Sequence, residues 1–268
     1  MNISRISAVF IRQLFLIKGN PVRIINMFLW IILDIIQWGF ITKYLGSFGN
    51  ATFNFVTVIL GSIILWGFMT RIQQGIMMAF LEDIWTPNLI NFFSSPIKVS
   101  EYLAGLILTS IATGLVGFIL MIVIAGVGFG YNLFIMGWLL LPFLMILFVS
   151  AMVIGIVITA MIFRLGPTAE WLGWPIPFFL SVFSGVFYPV STLPASLQSV
   201  AAIIPPAYVF ESMREIMSTG VFSSGSAYNL LIGFILSLAY LVVAYLFFVY
   251  IYRKNLKSGK IARFNAET

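Results

Sequence analysis

Residues 102–163 read YLAGLILTSIATGLVGFILMIVIAGVGFGYNLFIMGWLLLPFLMILFVSAMVIGIVITAMIF, and none of these 62 residues is charged. About 20 apolar residues cross the hydrocarbon of a bilayer, so this stretch is too long for a single crossing. Glycines and an asparagine interrupt it at residues 126–132 (GVGFGYN), where a turn is expected. The stretch therefore predicts two membrane spans, residues 103–125 and 134–163.

The remainder of the chain has the same apolar character. Hydrophobic residues make up 61% of the 268 residues, charged residues only 8%, and the mean hydropathy is +1.09. Soluble domains carry about 25% charged residues, so this composition excludes a soluble domain, and it also excludes a disordered chain. Four more charge-poor stretches predict spans at residues 24–42, 55–70, 172–189 and 229–252. The predicted fold class is an all-α integral membrane protein with six transmembrane helices, a single domain covering residues 1–268.

Lysine and arginine placement predicts the orientation of these spans. Of the 14 basic residues, only Lys43 and Arg214 fall on one side of the membrane, and the other 12 fall on the opposite side. An even number of spans then places both termini in the cytoplasm, with the chain in the cell membrane (in bacteria, the inner or plasma membrane). Because the basic residues are dispersed along the membrane edges, the net charge of +6 predicts contact with the lipid bilayer and no nucleic-acid partner.

Residues 1–23 predict an amphipathic interfacial helix rather than a cleaved signal peptide. Apolar residues from Ile3 to Ile17 share one helical face, with Arg5 and Arg12 on the opposite face. Two roles remain open for this helix. It is either a simple membrane anchor or an element that also contacts a cytoplasmic partner.

Residues 71–101 predict a cytoplasmic coupling segment between spans two and three, because they are charged yet semi-apolar and too long for a plain connector. An amphipathic hairpin with an apolar face suits docking on a soluble partner, and the alternative is that it lies on the bilayer. The candidate docking residues are Phe80, Glu82, Asp83, Trp85, Phe92 and Phe93.

Residues 190–228 predict an external segment of two short helices, near 195–203 and 207–218, separated by Pro205 and Pro206. Its apolar character favours a re-entrant helical pair between spans five and six. Asp34 is the clear charged residue inside a span, and no basic residue is expected at matching depth. Its role is either structural or in substrate passage and gating. The candidates for the translocation path or gating are Asp34, Tyr188, Glu211 and Arg214.

The chain lacks most of the chemistry that enzymes use. It has no cysteine and no histidine, which removes thiol nucleophiles, imidazole bases and most metal sites. A P-loop is also missing, because Gly259-Lys260 is followed by Ile261 and has no upstream glycine at the required spacing. We therefore expect no catalytic, cofactor-binding or metal-binding residues. An ion-coupled secondary transporter and a membrane-embedded enzyme of lipid metabolism remain as alternatives to a passive conduit.

Two stretches resemble a known family. Residues 184–214 read SGVFYPVSTLPASLQSVAAIIPPAYVFESMR, and residues 75–105 contain Glu82, Ser95-Pro96-Ile97 and the pair Glu101 and Gly105. Both stretches are similar to the permease subunits of type-2 ATP-binding-cassette (ABC) exporters, although residues 83–87 (DIWTP) replace a Gly-Thr-Leu-like run of many members.

This resemblance implies six spans, an N-terminal amphipathic helix, a coupling segment and a re-entrant pair. It also implies a homodimer of permeases with a separate ATPase subunit that binds ATP. The homodimer is the simplest closure, since one chain offers half of the path for an amphiphilic, lipid-linked or polysaccharide substrate or a drug.

Overall fold

The computed structural model describes residues 2–47, 54–86, 88, 92 and 95–258. Within these residues every regular element is helical. The α-helices are α1 (Ile3–Lys18), α2 (Pro21–Ser47), α3 (Asn54–Trp85), α4 (Val99–Phe129), α5 (Leu140–Leu165), α6 (Pro175–Phe183), α7 (Ala195–Ala201), α8 (Pro205–Thr219) and α9 (Ser224–Lys257). Short 3-10 helices cover Leu133–Leu139, Pro167–Gly173 and Val190–Thr192.

Four segments of these helices are long and apolar enough to cross a membrane. They are Phe28–Ser47, Val99–Phe129, Leu133–Leu165 and Ser224–Lys257. These segments coincide with the first, third, fourth and sixth predicted spans. The protein is therefore an all-helical, multi-pass membrane protein, and the full count of six spans stays a prediction.

The second predicted span, residues 55–70, lies inside α3, which continues to Trp85. At 1.5 Å per residue, this helix is about 48 Å long. The expectation of a hairpin beginning at residue 71 is therefore wrong for residues 71–85. The first proline after residue 71 is Pro87. The residue before a proline is disfavoured in helical geometry, so the sequence predicts that a helix in this region stops before residue 86.

The fifth predicted span, residues 172–189, is not one continuous helix. It comprises the end of a 3-10 helix, the nine-residue α6 and a turn. Nine helical residues extend about 13 Å, less than half of the bilayer hydrocarbon. Pro175 fixes the start of α6 at its first position, and Gly185, with φ of 70°, lies in the turn just after its end.

The two short helices predicted within residues 190–228 occur where they were expected, and their external position stays a prediction. α7 (Ala195–Ala201) and α8 (Pro205–Thr219) are joined by a short connection at residues 202–204. Proline at the first position of a helix is favoured because its missing N–H would lack an intrahelical partner anyway. Whether this pair re-enters the membrane stays a prediction.

α3 occupies the centre of the molecule, where it packs against α4 and α5. Glycines allow these close approaches: a Cβ on Gly114 would lie 2.7 Å from Ile72 Cγ1, and one on Gly155 would lie 3.0 Å from Ile76 Cδ1. α9 packs on α5 and α8, and α1 packs on α4. The core of the chain is thus built around a helix that contains the first half of the predicted coupling segment.

The buried face of α1 differs from its predicted apolar face. α1 buries Val9 and Gln13, whereas Ile3 and Leu14 of the predicted face are exposed. The reason is that α1 turns Gln13 toward polar partners on α3, which leaves much of the apolar face available to lipid.

Candidate functional site

Asp83, near the end of α3, is the centre of a buried polar cluster. Its carboxylate is fully buried and accepts hydrogen bonds from three side chains. Oδ1 accepts from the guanidinium of Arg12 and, at 3.3 Å, from Gln13 Nε2, while Oδ2 accepts from the Tyr102 hydroxyl at 2.6 Å. Gln13 Nε2 also donates to the carbonyl of Ala79 at 3.0 Å. One carboxylate thereby joins α1, α3 and α4.

The charge of Asp83 is partly compensated in this environment. Asp83 lies beyond the predicted span at residues 55–70, and burial raises the pKa of its carboxyl, whereas the Tyr102 hydrogen bond and the nearby Arg12 charge oppose that rise. Arg12 also lies over the ring of Phe92, 4.8 Å from its centroid. Removing one partner of a buried ion pair leaves an uncompensated charge, so the cluster favours a single arrangement of the three helices.

A second ion pair joins α1 to the start of α4. Glu101 accepts from the backbone N–H of Asn2 at 2.7 Å and of Lys98 at 3.0 Å, and it pairs with Arg5 at 3.4 Å. The guanidinium of Arg5 also donates to the carbonyl of Pro96. We call residues 86–98 the connector, and we call the contacts of α1 and its preceding residue Asn2 with Asp83 and Glu101 the α1 clasp. The α1 clasp holds the connector at both of its ends.

The predicted docking residues do not share one surface. Phe80 and Asp83 are fully buried, so neither offers its side chain to a partner in this structure. Phe80 packs against the rings of Tyr102, Phe163 and Phe248 instead. They are buried because the helix continues through residues 71–85 and turns these two positions toward the rest of the chain.

The other docking candidates lie nearer the surface. Trp85 is half exposed, Glu82 is partly exposed, and Phe92 is partly buried against Arg12 and Tyr102. Phe93 lies outside the described residues. Glu82 and Trp85 are therefore the two candidates that the structure leaves accessible beside the connector.

Asp34 has a basic neighbour that the sequence argument missed. Its charge attracts that of Arg71 on α3, although the two side chains do not form a close ion pair. The expectation of no basic residue at matching depth is wrong because Arg71 was assigned to a cytoplasmic hairpin. In the structure it belongs to a helix that packs against α2.

Tyr188, Glu211 and Arg214 come together in the turn after α6. Tyr188 donates to the carbonyl of Val182 at 2.7 Å, and Glu211 Oε1 accepts from the backbone N–H of Val190 at 2.9 Å. Arg214 donates to the carbonyl of Gly185 and lies 3.8 Å from Glu211. Glu211 and Arg214 fix the turn against α8, and Tyr188 ties it to α6. No hydrogen bond or ion pair joins these three side chains to Asp34 within the described part of the chain.

Glu215 makes a separate connection between α8 and the start of α9. Its two carboxylate oxygens accept from the hydroxyls of Ser223 and Ser226, each at 2.7 Å. These hydrogen bonds, that from Ser223 first, lower the pKa of Glu215. The carboxylate is also placed at a helix N-terminus, where the helix dipole favours negative charge.

A cavity of about 460 Å³ opens on the side of α3 that faces α2 and α4. Sequence reasoning missed it, although a signal was present. Positions 71, 74, 75, 78, 82 and 85 follow the helical period, which becomes visible once α3 is known to extend to Trp85. The described residues that line the cavity are Ile17, Asn20, Val22, Trp30, Ile31, Arg71, Gln74, Gly75, Met78, Glu82, Trp85, Thr109, Thr113, Gly114 and Trp174.

Comparison with known families identifies the family of this chain. A family model described as ABC-2 type transporter matches residues 4–218, well over half of the 268 residues. The chain belongs to the ABC-2 type transporter family. A search of curated proteins found no match to it.

Membership of the ABC-2 family confirms the resemblance seen in the sequence. The match runs from α1 into α8, so the α1 clasp, the cavity and the turn after α6 all fall within the ABC-2 region. Proteins of this family are membrane components of ABC transporters, and the family implies association with an ABC ATPase subunit. The ABC-2 chain is therefore a multi-pass permease of an ABC transporter.

Proposed function

We propose that this chain is the permease subunit of an ATP-driven ABC exporter and that it receives mechanical work through the connector. The observation that carries this proposal is the α1 clasp, which ties both ends of the connector to one helix. The 268 residues contain no P-loop, and in this proposal the energy for transport comes from an ABC ATPase subunit. A connector held at both ends is suited to receive that work.

The packing suggests how a displacement of the connector would spread. Asp83 is bonded to α1 and α4, and α3 continues from it into the centre of the molecule. Pushing the connector would therefore move α1, α3 and the start of α4 as one body. Switching of packed helices between two arrangements is an established route to opening a path across a membrane protein.

The complete proposed assembly follows the family resemblance. It is a homodimer in the cell membrane, which in bacteria is the inner membrane. Both termini are cytoplasmic, and the separate ATPase subunit binds ATP. α3 would supply the second of six spans, and the broken segment from Pro167 to Pro189 would supply the fifth, with α7 and α8 as a re-entrant pair. Each chain would form half of an export path for an amphiphilic, lipid-linked or polysaccharide substrate or a drug.

An ion-coupled carrier is the second candidate, and the attraction between Asp34 and Arg71 favours it, because charged residues at membrane depth often mark ion pathways. The two candidates differ in their energy source. An ABC permease should stop transporting when its ATPase subunit is removed. An ion-coupled carrier should continue and respond to ionophores.

The direct test is co-purification of the tagged chain from native membranes, with mass spectrometry of its partners. We expect an ABC ATPase subunit in the complex, and we expect Trp85→Ala to reduce both its capture and its stimulated ATP hydrolysis, because Trp85 is half exposed beside the connector. Trp138→Ala is the matched control, since Trp138 is exposed on the 3-10 helix between α4 and α5. Undiminished transport by the chain without any ATPase would overturn the proposal.

A further inference from the structure

The cavity beside α3 has a composition unlike the lipid-facing surface around it. Of its lining residues that the structure describes, Arg71 carries a positive charge and Glu82 a negative charge. They lie eleven residues apart on α3, or about 16 Å along the helix axis. The cavity therefore has a basic end, deeper along α3, and an acidic end near the connector.

Arg71 is a partly buried cation with unused hydrogen-bonding capacity. A guanidinium has five N–H donors, and the described contacts of Arg71 include one hydrogen bond, to Gln74 Oε1 at 3.4 Å. Asp34 attracts it without reaching ion-pair distance, so it does not occupy the remaining donors. Guanidinium groups bind phosphates and carboxylates through paired hydrogen bonds, and Arg71 is available for such a contact from within the cavity.

The rest of the lining suits a ligand that is polar at one end and apolar at the other. Trp30, Trp85 and Trp174 are each about half exposed around the cavity, and indole rings favour such boundaries between apolar and polar surroundings. An exposed apolar stripe on α2 starts beside Val22 and Trp30. It consists of Ile25, Leu29, Leu33, Ile36 and Phe40.

We propose that this cavity binds the anionic headgroup of an amphiphile, with a phosphate group on Arg71 and the apolar tail along the exposed stripe of α2. This inference rests on the proposed export function. It specifies the exported substrate as an anionic amphiphile that enters the cavity from the side of the connector. Glu82 at the opposite end disfavours a second negative charge there. Arg71 supplies hydrogen-bond donors and Glu82 supplies none, so the anionic group is directed toward Arg71, where it competes with the carboxylate of Asp34 for the guanidinium.

The test measures binding to the purified full chain in detergent, without any ATPase subunit. Because three tryptophans line the cavity, their fluorescence reports occupancy. Three probes are titrated: dioctanoyl phosphatidic acid, dioctanoylglycerol and inorganic phosphate. We expect saturable quenching by phosphatidic acid at concentrations at least about tenfold lower than for the other two, since a charge-assisted contact to Arg71 and an apolar tail are both required.

Two variants and one control complete the experiment. Arg71→Gln should weaken phosphatidic acid binding about tenfold or more, whereas Lys43→Gln, which removes an exposed charge near the other end of α2, should leave it unchanged. Met78→Trp fills the cavity while keeping Arg71, and it should also weaken binding. If Arg71→Gln does not fold, as judged by gel filtration, Met78→Trp decides the question.

Three results would overturn the inference. Equal binding of dioctanoylglycerol would show a merely apolar groove. Equal binding of inorganic phosphate would show a site for the free anion. Unchanged binding in a folded Arg71→Gln or Met78→Trp protein would place the ligand elsewhere. Since no ATPase takes part, failure here leaves the proposed permease function standing.

Discussion

Asp83 shows how one side chain can determine the position of three helices. It is fully buried, and its hydrogen-bond partners come from α1 and α4. The sequence marks Asp83 only as an acidic residue in an amphipathic segment, and nothing local to it reveals partners as distant in the chain as Arg12. A contact of this kind becomes visible only when the fold brings the helices together.

Asp83→Asn should destabilise the protein, because it keeps the shape of the side chain but removes the charge that Arg12 compensates. A double-mutant cycle with Arg12→Gln measures the interaction in thermal unfolding of the detergent-solubilised chain. We expect a coupling free energy of about 1–3 kcal/mol. Glu170→Gln is the control for loss of a carboxylate outside the α1 clasp, and purely additive effects of the two clasp substitutions would contradict the described contact.

Glu215 should make stability depend on pH. Hydrogen bonds from Ser223 and Ser226 lower its pKa in the folded chain, so the folded state favours the ionised form. This stabilisation is complete above the ordinary glutamate pKa of about 4.3 and is lost as the pH falls through the lower folded value. The melting temperature of the parent chain should therefore exceed that of Glu215→Gln near neutral pH, and the difference should shrink on acidification. A difference that is constant with pH would exclude the Glu215 carboxylate as its source.

At the scale of elements, the sequence predicted helices best where apolar character and length coincide. The four long apolar helices and the two short helices around the paired prolines occur as expected. The end of α3 was misjudged because residues 71–85 contain charges and were assigned to the cytoplasm as a hairpin. Charge argues for a position relative to the membrane, but it does not interrupt a helix, and α3 continues past Arg71 to Trp85.

The close packing of α3 on α4 is a second property of these elements. Gly114→Ala should destabilise the chain by about 1–3 kcal/mol, because the added Cβ would lie 2.7 Å from Cγ1 of the buried Ile72. Gly128→Ala on the same helix is a matched control, since a Cβ there meets no atom within 4 Å. Gly128→Ala should leave the free energy of unfolding unchanged or raise it by about 0.4–1 kcal/mol, because alanine reduces the conformational entropy of the unfolded chain. Thermal unfolding of both variants checks this, and equal effects would contradict the described helix contact.

At the scale of the whole molecule, the α1 clasp and the cavity share the last turns of α3. Asp83 faces α1 and α4, while Glu82 and Trp85 line the cavity and lie beside the connector. A partner that displaces the connector would therefore change the shape of the cavity at the same time. The sequence predicted the membrane class and the family, because both depend on composition and on local patterns. It did not predict the cavity, because that is built from residues on separate helices.

The hydrogen bond from the Asn2 backbone to Glu101 has a practical consequence for protein engineering. Any polypeptide fused ahead of Asn2 would emerge next to the connector and would crowd the surface on which we expect the ATPase to bind. A purification tag or fluorescent label is better attached beyond α9, whose end at Lys257 lies outside the α1 clasp.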